Sequence, residues 1–382
     1  MRKPRTQDPE PRTPNPEPRT QNREPVNRER LSCLNGEAMK PATVDEILEV
    51  LEAPFASAAL GAALELGLFW LLEERPLSAP AVAERLGIPP NRCNYWLQLL
   101  ENTGLLTKTE EGYIPSPTAR QSILGTYSRD TWAFLAQEAR EISPVLRDLA
   151  LHIRVPGSAT AALGFTPMNY VLAMRDSPER AARFTRMLYE LHQPLARQMA
   201  ESLDMEGIRR FMDLGGGSGV VSLALLTRHP ECRAVVVDIE NVCLAGSEIA
   251  SQTPVADRIT YHPADFSQRD WPAGFDMVLE CDVGEYSNDL FSRIREVLNP
   301  NGRLVIVDQF PPAVGVARPG QIHWAFERSL KDPDFRFLTA VEVRERLSNT
   351  GFEIISETTL GTPSMTSATF DKGHTMIDAR RG

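Results

Sequence analysis

Residues 210–242, RFMDLGGGSGVVSLALLTRHPECRAVVVDIENV, decide the fold. Phe211–Leu214 reads as a short apolar strand that runs into Asp213-Leu214-Gly215-Gly216-Gly217-Ser218-Gly219. Ser222–Arg228 then reads as a helix, and Ala234–Val237 as a β-branched strand closed by Asp238. Glycine has no Cβ, so backbone at Gly215, Gly216, Gly217 and Gly219 can take positive φ and approach a ligand closely. The helix amino terminus that follows favours a carboxylate or phosphate. Asp238 lies 19 residues beyond Gly219, where a strand-end carboxylate can accept from both hydroxyls of a ribose. A glycine loop alone is a weak signal. Strand, loop, helix, strand and terminal acid in that order form a much stronger one. Val220 stands where a dinucleotide fingerprint wants glycine, so nicotinamide binding is disfavoured. No Gly-Lys-Ser/Thr follows, which removes a nucleoside-triphosphate loop.

Toward the carboxy terminus the alternation continues. Asn241–Ser251 reads as a helix, Ile259–His262 and Phe275–Leu279 as strands, Leu290–Leu298 as a helix and Leu304–Val307 as a strand. Alternating strands and helices imply a parallel sheet covered on both faces, with ligands at the strands' carboxyl ends. Asp265, at a strand end, can take an adenine amino group, and Phe266 beside it can pack on the ring. Phe266 by itself would be read as core.

Toward the amino terminus, Thr43–Arg75 is mostly helical with a break expected at Pro54. A helix between the cap Ser78 and the stop Gly87 follows, and another over Asn91–Asn102. Leu105–Thr109 and Tyr113–Ile114 then form a two-strand wing. Helix, turn, helix, wing is a winged-helix pattern. Its would-be recognition helix, PNRCNYWLQLLEN, has one Arg and one Glu, too little cation for phosphate contacts. A packing or dimer-forming role is the better expectation. Residues 121–203 read as further helices whose Met and aromatic positions, with His192 among them, suit core or pocket.

The chain resembles the class I S-adenosylmethionine-dependent methyltransferases, and within them the small-molecule O-methyltransferases of the acetylserotonin, caffeate, hydroxyneurosporene and polyketide group. RFMDLGGGSG, VVVDIENV, VADRITYHPADF and LNPNGRLVIVD carry the resemblance, which covers about residues 42–380. It implies an α/β architecture: a Rossmann-like, seven-stranded methyltransferase domain (204–382) after a mostly helical winged-helix dimerisation domain (39–120) and a helical substrate-pocket region (121–203). It implies Asp213 and Gly215–Gly219 around the methionine portion of the cofactor, Asp238 on ribose, Ile239 beside adenine, Asp265 with Phe266 at adenine, and Cys281 near the cofactor at the family's Lys position. The family's catalytic His is not matched. Glu285 takes its place and Tyr286 the next, so these two are the candidate catalytic residues: Glu285 as a base, Tyr286 as a donor or phenolate. Cys281 with Tyr286-Ser287 is similar to the bacteriochlorophyll C-methyltransferases, which keeps carbon as an alternative acceptor. His323 falls on the substrate-lining helix and reads as an ordinary helix-start residue. The implied enzyme is a cytoplasmic homodimer acting on a small aromatic metabolite, with no metal. The alternatives are a relative that keeps the cofactor but catalyses hydroxylation, decarboxylation or ring rearrangement, and a winged-helix regulator.

Composition agrees. The 382 residues carry a net charge of −10, which argues against nucleic acid as main partner. Seven of 30 prolines fall within the first 25 residues, in three copies of a seven-residue unit over 4–24. This tail, 1–38, is expected to be disordered, and Met39 could be the true start. With its net charge of +2 set aside, the body carries −12. Five scattered cysteines without a CxxC pair predict reduced thiols. No uninterrupted apolar run reaches about 18 residues, so no membrane span is expected.

Overall fold

The computed structural model describes residues 41–163, 170–265, 270–318, 321–361 and 373–382. The repeat tail and Phe266 lie outside the described residues. Helix α1, Val44–Leu66, starts with a capping box in which Thr43 and Glu46 satisfy each other's backbone amides. It runs straight through Pro54, contrary to the expected break. The carbonyl that Pro54 leaves without a donor lies on an exposed stretch of helix, where water serves it. The chain turns instead at Gly67, whose φ of 73° is left-handed. α2 (Leu68–Glu74), α3 (Ala79–Leu86) and α4 (Pro90–Asn102) follow. Strands β1 (Leu106–Lys108) and β2 (Tyr113–Pro115) pair antiparallel as the wing, with Leu106 opposite Pro115. A side chain at Gly112 would collide with the Leu77 backbone at 2.4 Å, and its φ of 141° also demands glycine. The α4 face that would read DNA is spent inward: Cys93, Leu97 and Leu100 are fully buried.

Most of α1 finds no cover among the described residues. Val44, Ile47, Leu48, Leu51 and Phe55 are exposed, Leu51 and Phe55 by more than 70%. The expectation of no membrane-length segment therefore needs correcting. By length and composition α1 is apolar enough to cross a membrane, because alanines fill the gaps between its larger apolar residues.

Helix α5 (Arg129–Glu141) packs on α1, and α6 (Pro178–Leu191) and α7 (Gln193–Ser202) lead into the second domain. There β3 (Arg210–Leu214), α8 (Val220–Arg228), β4 (Arg233–Asp238), α9 (Glu240–Ser251), β5 (Ile259–Pro263), β6 (Phe275–Cys281), α10 (Asn288–Val297), β7 (Leu298–Asp308), α11 (Ile322–Lys331), α12 (Ala340–Asn349), β8 (Phe352–Thr359) and β9 (Thr375–Arg381) alternate. The sheet order is β5-β4-β3-β6-β7-β9-β8, parallel except that β9 runs antiparallel to both its neighbours. Strand alternation divides the apolar side chains between two cores. Phe211, Met277, Leu279 and Val305 face α7 and α8. Met212, Leu214, Val278, Leu304 and Ile306 face α10 and α12.

Candidate active site

The carboxyl edge of the parallel strands gathers the candidate site. Gly215, Gly217 and Gly219 have φ of 69°, 55° and 73°, and a Cβ at Gly216 would sit 2.4 Å from the Asp213 carboxyl carbon. The loop is held from every side. Gly215 N donates to Val237 O at 2.8 Å, Gly219 N to Gly216 O at 2.7 Å, and Tyr261 Oη to Ser218 O at 2.8 Å. This side-chain-free cradle, opening onto the amino terminus of α8, fits the amino-acid end of S-adenosylmethionine.

Asp213 is fully buried and accepts from Ser222 Oγ at 2.6 Å. It braces the loop from beneath. Burial pushes its carboxyl up to about 6 against the opposing Ser222 bond. Asp238 accepts from Gly217 N at 3.0 Å and from Ile239 N at 2.7 Å, so the strand-end acid also sets the loop's position. Burial pushes it up to about 6, and the two amides resist. Ile239 is buried against Val242 and Met174. Asp265 is half-buried just past β5. Cys281 ends β6 and packs on the α7–α8 core.

The two candidate catalytic residues part company. Glu285 is exposed on the loop after β6. Tyr286 is buried, packs between Phe291 and Phe310, and donates its hydroxyl to Asp308. Burial and the Asp308 carboxylate hold its phenol well above the usual range, so no phenolate forms there near neutral pH. Asp308 is itself pushed up to about 6, by burial and then by Asp282. Glu280 is fully buried, with neither carboxyl oxygen hydrogen-bonded among the described residues, and burial holds it well above the usual carboxylate range.

Sequence reasoning missed a cluster of three residues here. Asp282, with φ 54°, follows β6 and places its carboxylate 3.0 and 3.1 Å from His374 Nε2 and 3.4 Å from His192 Nε2. The three come from the ends of β6, β9 and α6, so no local spacing could signal them. The one available hint was a non-glycine acid immediately after a strand.

Beyond β7 lies a cavity of about 250 Å³ lined by Pro311, Val316, Phe326, Phe335 and Phe337. Trp324 on α11 packs on Phe337 and Phe335, with ring centroids 4.9 and 6.3 Å away. His323 is exposed in the first turn of α11. Among the described residues no group of three or more His, Cys, Asp or Glu is arranged to hold a metal.

Residues 149–353 match the family described as the O-methyltransferase domain, and residues 48–123 the O-methyltransferase dimerisation domain. The demethylspheroidene O-methyltransferase of Cereibacter sphaeroides is 26% identical over 323 residues, 81% of this chain and 82% of that protein. The 3-hydroxy-5-methyl-1-naphthoate 3-O-methyltransferase of Streptomyces sahachiroi is 31% identical over 58% of this chain and 62% of its own length. The structure of human N-acetylserotonin methyltransferase, solved with S-adenosylmethionine, superposes with a TM-score of 0.70 at 19% identity, over 91% of this chain and 99% of that one. The glycine cradle, the Asp238 strand end and the helical domain in front of them agree with these likenesses: the chain belongs to the S-adenosylmethionine-dependent O-methyltransferase family.

Proposed function

We propose that this chain transfers the methyl group of S-adenosylmethionine to a hydroxyl of a small, flat aromatic metabolite. The observation that carries the acceptor class is the cavity past β7, lined by Phe326, Phe335 and Phe337, with Trp324 packed on the last two. Aromatic side chains lining a cavity suit a planar apolar ligand. Gly215, Gly216, Gly217 and Gly219 with Asp238, Ile239, Asp265, Phe266 and Cys281 hold the cofactor, and Asp213 braces their loop. The bound cofactor supplies an electrophilic methyl on a sulfonium leaving group. The protein orients the acceptor oxygen and excludes water. We take Glu285, exposed on the loop after β6, as the group that accepts the hydroxyl proton, and Tyr286, whose hydroxyl donates to Asp308, as a structural support of that loop.

We also infer a homodimer. The uncovered apolar face of α1 lies within the dimerisation domain, where a second copy would bury it. The −10 net charge and the inward-facing α4 support an enzyme without nucleic acid as partner, and burial of α1 against a second copy would keep that helix out of a membrane, as a cytoplasmic enzyme requires. The test is to incubate the protein with methyl-labelled S-adenosylmethionine and a panel of phenols, naphthols and hydroxylated polycycles. Labelled methyl ether is expected. Labelled C-methyl product would move the acceptor to carbon. Tight cofactor binding with no S-adenosylhomocysteine released from any acceptor would overturn methyl transfer.

A further inference from the structure

We propose that Asp282, gripped between His374 and His192, receives the α-ammonium of the cofactor's amino-acid end, with His374 as the positioning residue behind it. This rests on the methyltransferase reading above and adds to it a residue that the sequence motifs do not mark.

Position is the first argument. The strands run β5-β4-β3-β6 across the sheet. Asp238 closes β4, the glycine cradle closes β3, and Asp282 is the first residue past β6. With the ribose at Asp238, the rest of the cofactor crosses the cradle in the direction of β6. Asp282 is pinned there, because its amide donates to Val307 O at 2.9 Å.

Aim is the second. Side chains alternate along a strand, so an extended residue after Cys281 would point toward the α10–α12 core. The left-handed φ of 54° turns Asp282 back to the face shared with α7 and Met376, where the two histidines stand. Asp is among the few non-glycine residues that tolerate this conformation.

The third argument is how the carboxylate is held. His374 is 1% exposed, while the Asp282 side chain keeps 25% of its surface open. His374 Nε2 donates to both carboxyl oxygens, and its buried Nδ1 has no partner among the described residues. The neutral Nε2–H tautomer satisfies this arrangement, since a protonated Nδ1 would bury an unanswered N–H. His192 Nδ1 lies 3.0 Å from Leu188 O, which can only accept, and its Nε2 faces Asp282. Burial alone would raise the Asp282 carboxyl, yet the bonds from His192 and His374 hold it well below the usual carboxylate range. A partly open, permanently ionised carboxylate is a receptor for a cation.

Two ligands separate this from general loop damage. S-adenosylhomocysteine has the amino-acid end; 5′-methylthioadenosine keeps the adenosine and sulfur and lacks it. In calorimetry on the full-length protein, Asp282→Asn is expected to weaken S-adenosylhomocysteine at least tenfold and methylthioadenosine less than twofold. His374→Gln should lower the same ratio by severalfold, which loss of fold stability alone would not do. Equal losses for both ligands, or no loss for either, would overturn the assignment. Should Asp282→Asn not fold, wild-type protein decides: deaminated S-adenosylhomocysteine must bind at least tenfold more weakly than the parent, and equal binding overturns the proposal. Failure of wild-type protein to bind S-adenosylhomocysteine at all would instead refute the methyltransferase reading.

Discussion

Asp238 makes cofactor affinity a function of pH in a way that can be worked out. In the free protein burial holds its carboxyl at about 6, against an ordinary 3.8. Ribose hydroxyls donating to it favour the ionised form, so below pH 6 binding must expel a proton. The signs for stability and affinity are opposite. A carboxyl whose folded value is raised adds stability to the free protein as pH falls through 6 toward 3.8, and that contribution is absent above 6. Cofactor affinity is complete well above 6 and declines below it. At pH 5 about nine-tenths of a group titrating near 6 is protonated, so affinity should fall about tenfold, or ~1.4 kcal/mol, relative to pH 8. Asp213 and Asp308, also near 6, can steepen the fall; Asp282, held low, does not titrate in this window. Calorimetry with S-adenosylhomocysteine in buffers of different ionisation enthalpy reads both affinity and proton release. Replacing Asp238 with Asn should weaken binding at pH 8 at least about tenfold, the scale of a lost charged hydrogen bond, and should remove one proton from the pH slope. Constant wild-type affinity from pH 8 to 5, or a slope unchanged in Asp238→Asn, would refute the reasoning.

Three further outcomes are expected. Gly219→Ala puts a Cβ 2.7 Å from Tyr261 Oη on a left-handed backbone, so it should cost about 1–2 kcal/mol and abolish measurable cofactor binding, as thermal shift with and without S-adenosylhomocysteine will report. Leu51→Glu combined with Phe55→Glu should yield monomers in analytical ultracentrifugation; persistence of the dimer would remove α1 from the interface. Tyr286→Phe leaves the half-buried Asp308 carboxyl with only the Gln309 amide and should lower stability by about 1–3 kcal/mol in urea melts, while S-adenosylhomocysteine affinity stays within about twofold.

The cofactor half of the site is legible in the sequence because it is local. Gly215–Gly219 and Asp238 lie within one β-α-β unit, where spacing in the chain translates directly into spacing in space. The winged helix is legible for the same reason, through Ser78, Gly87 and Gly112. The Asp282 cluster is not, since its histidines lie 90 residues before and 92 residues after it in sequence and meet it only when the sheet assembles. Tyr286 shows a second limit. Its type suits catalysis, but its burial is set by Phe291, Phe310 and Asp308, and residue type does not report burial. Pro54 shows a third: the helix it should interrupt is long, capped and wet on that side, and these together outweigh one missing hydrogen bond.

The placement of β9 has a consequence for how the protein is made. It is the latest of the described strands to be synthesised, yet it lies between β7 and β8. Until residues 375–381 emerge, β7 presents an open edge and β8 has no neighbour to pair with. His374 arrives in the same moment. The growing chain can therefore complete the cradle at β3 and β4 early, but neither the sheet nor the Asp282 grip can close before β9 is inserted. Nicking or truncation just before β9 is expected to leave an aggregation-prone chain rather than a partly active one.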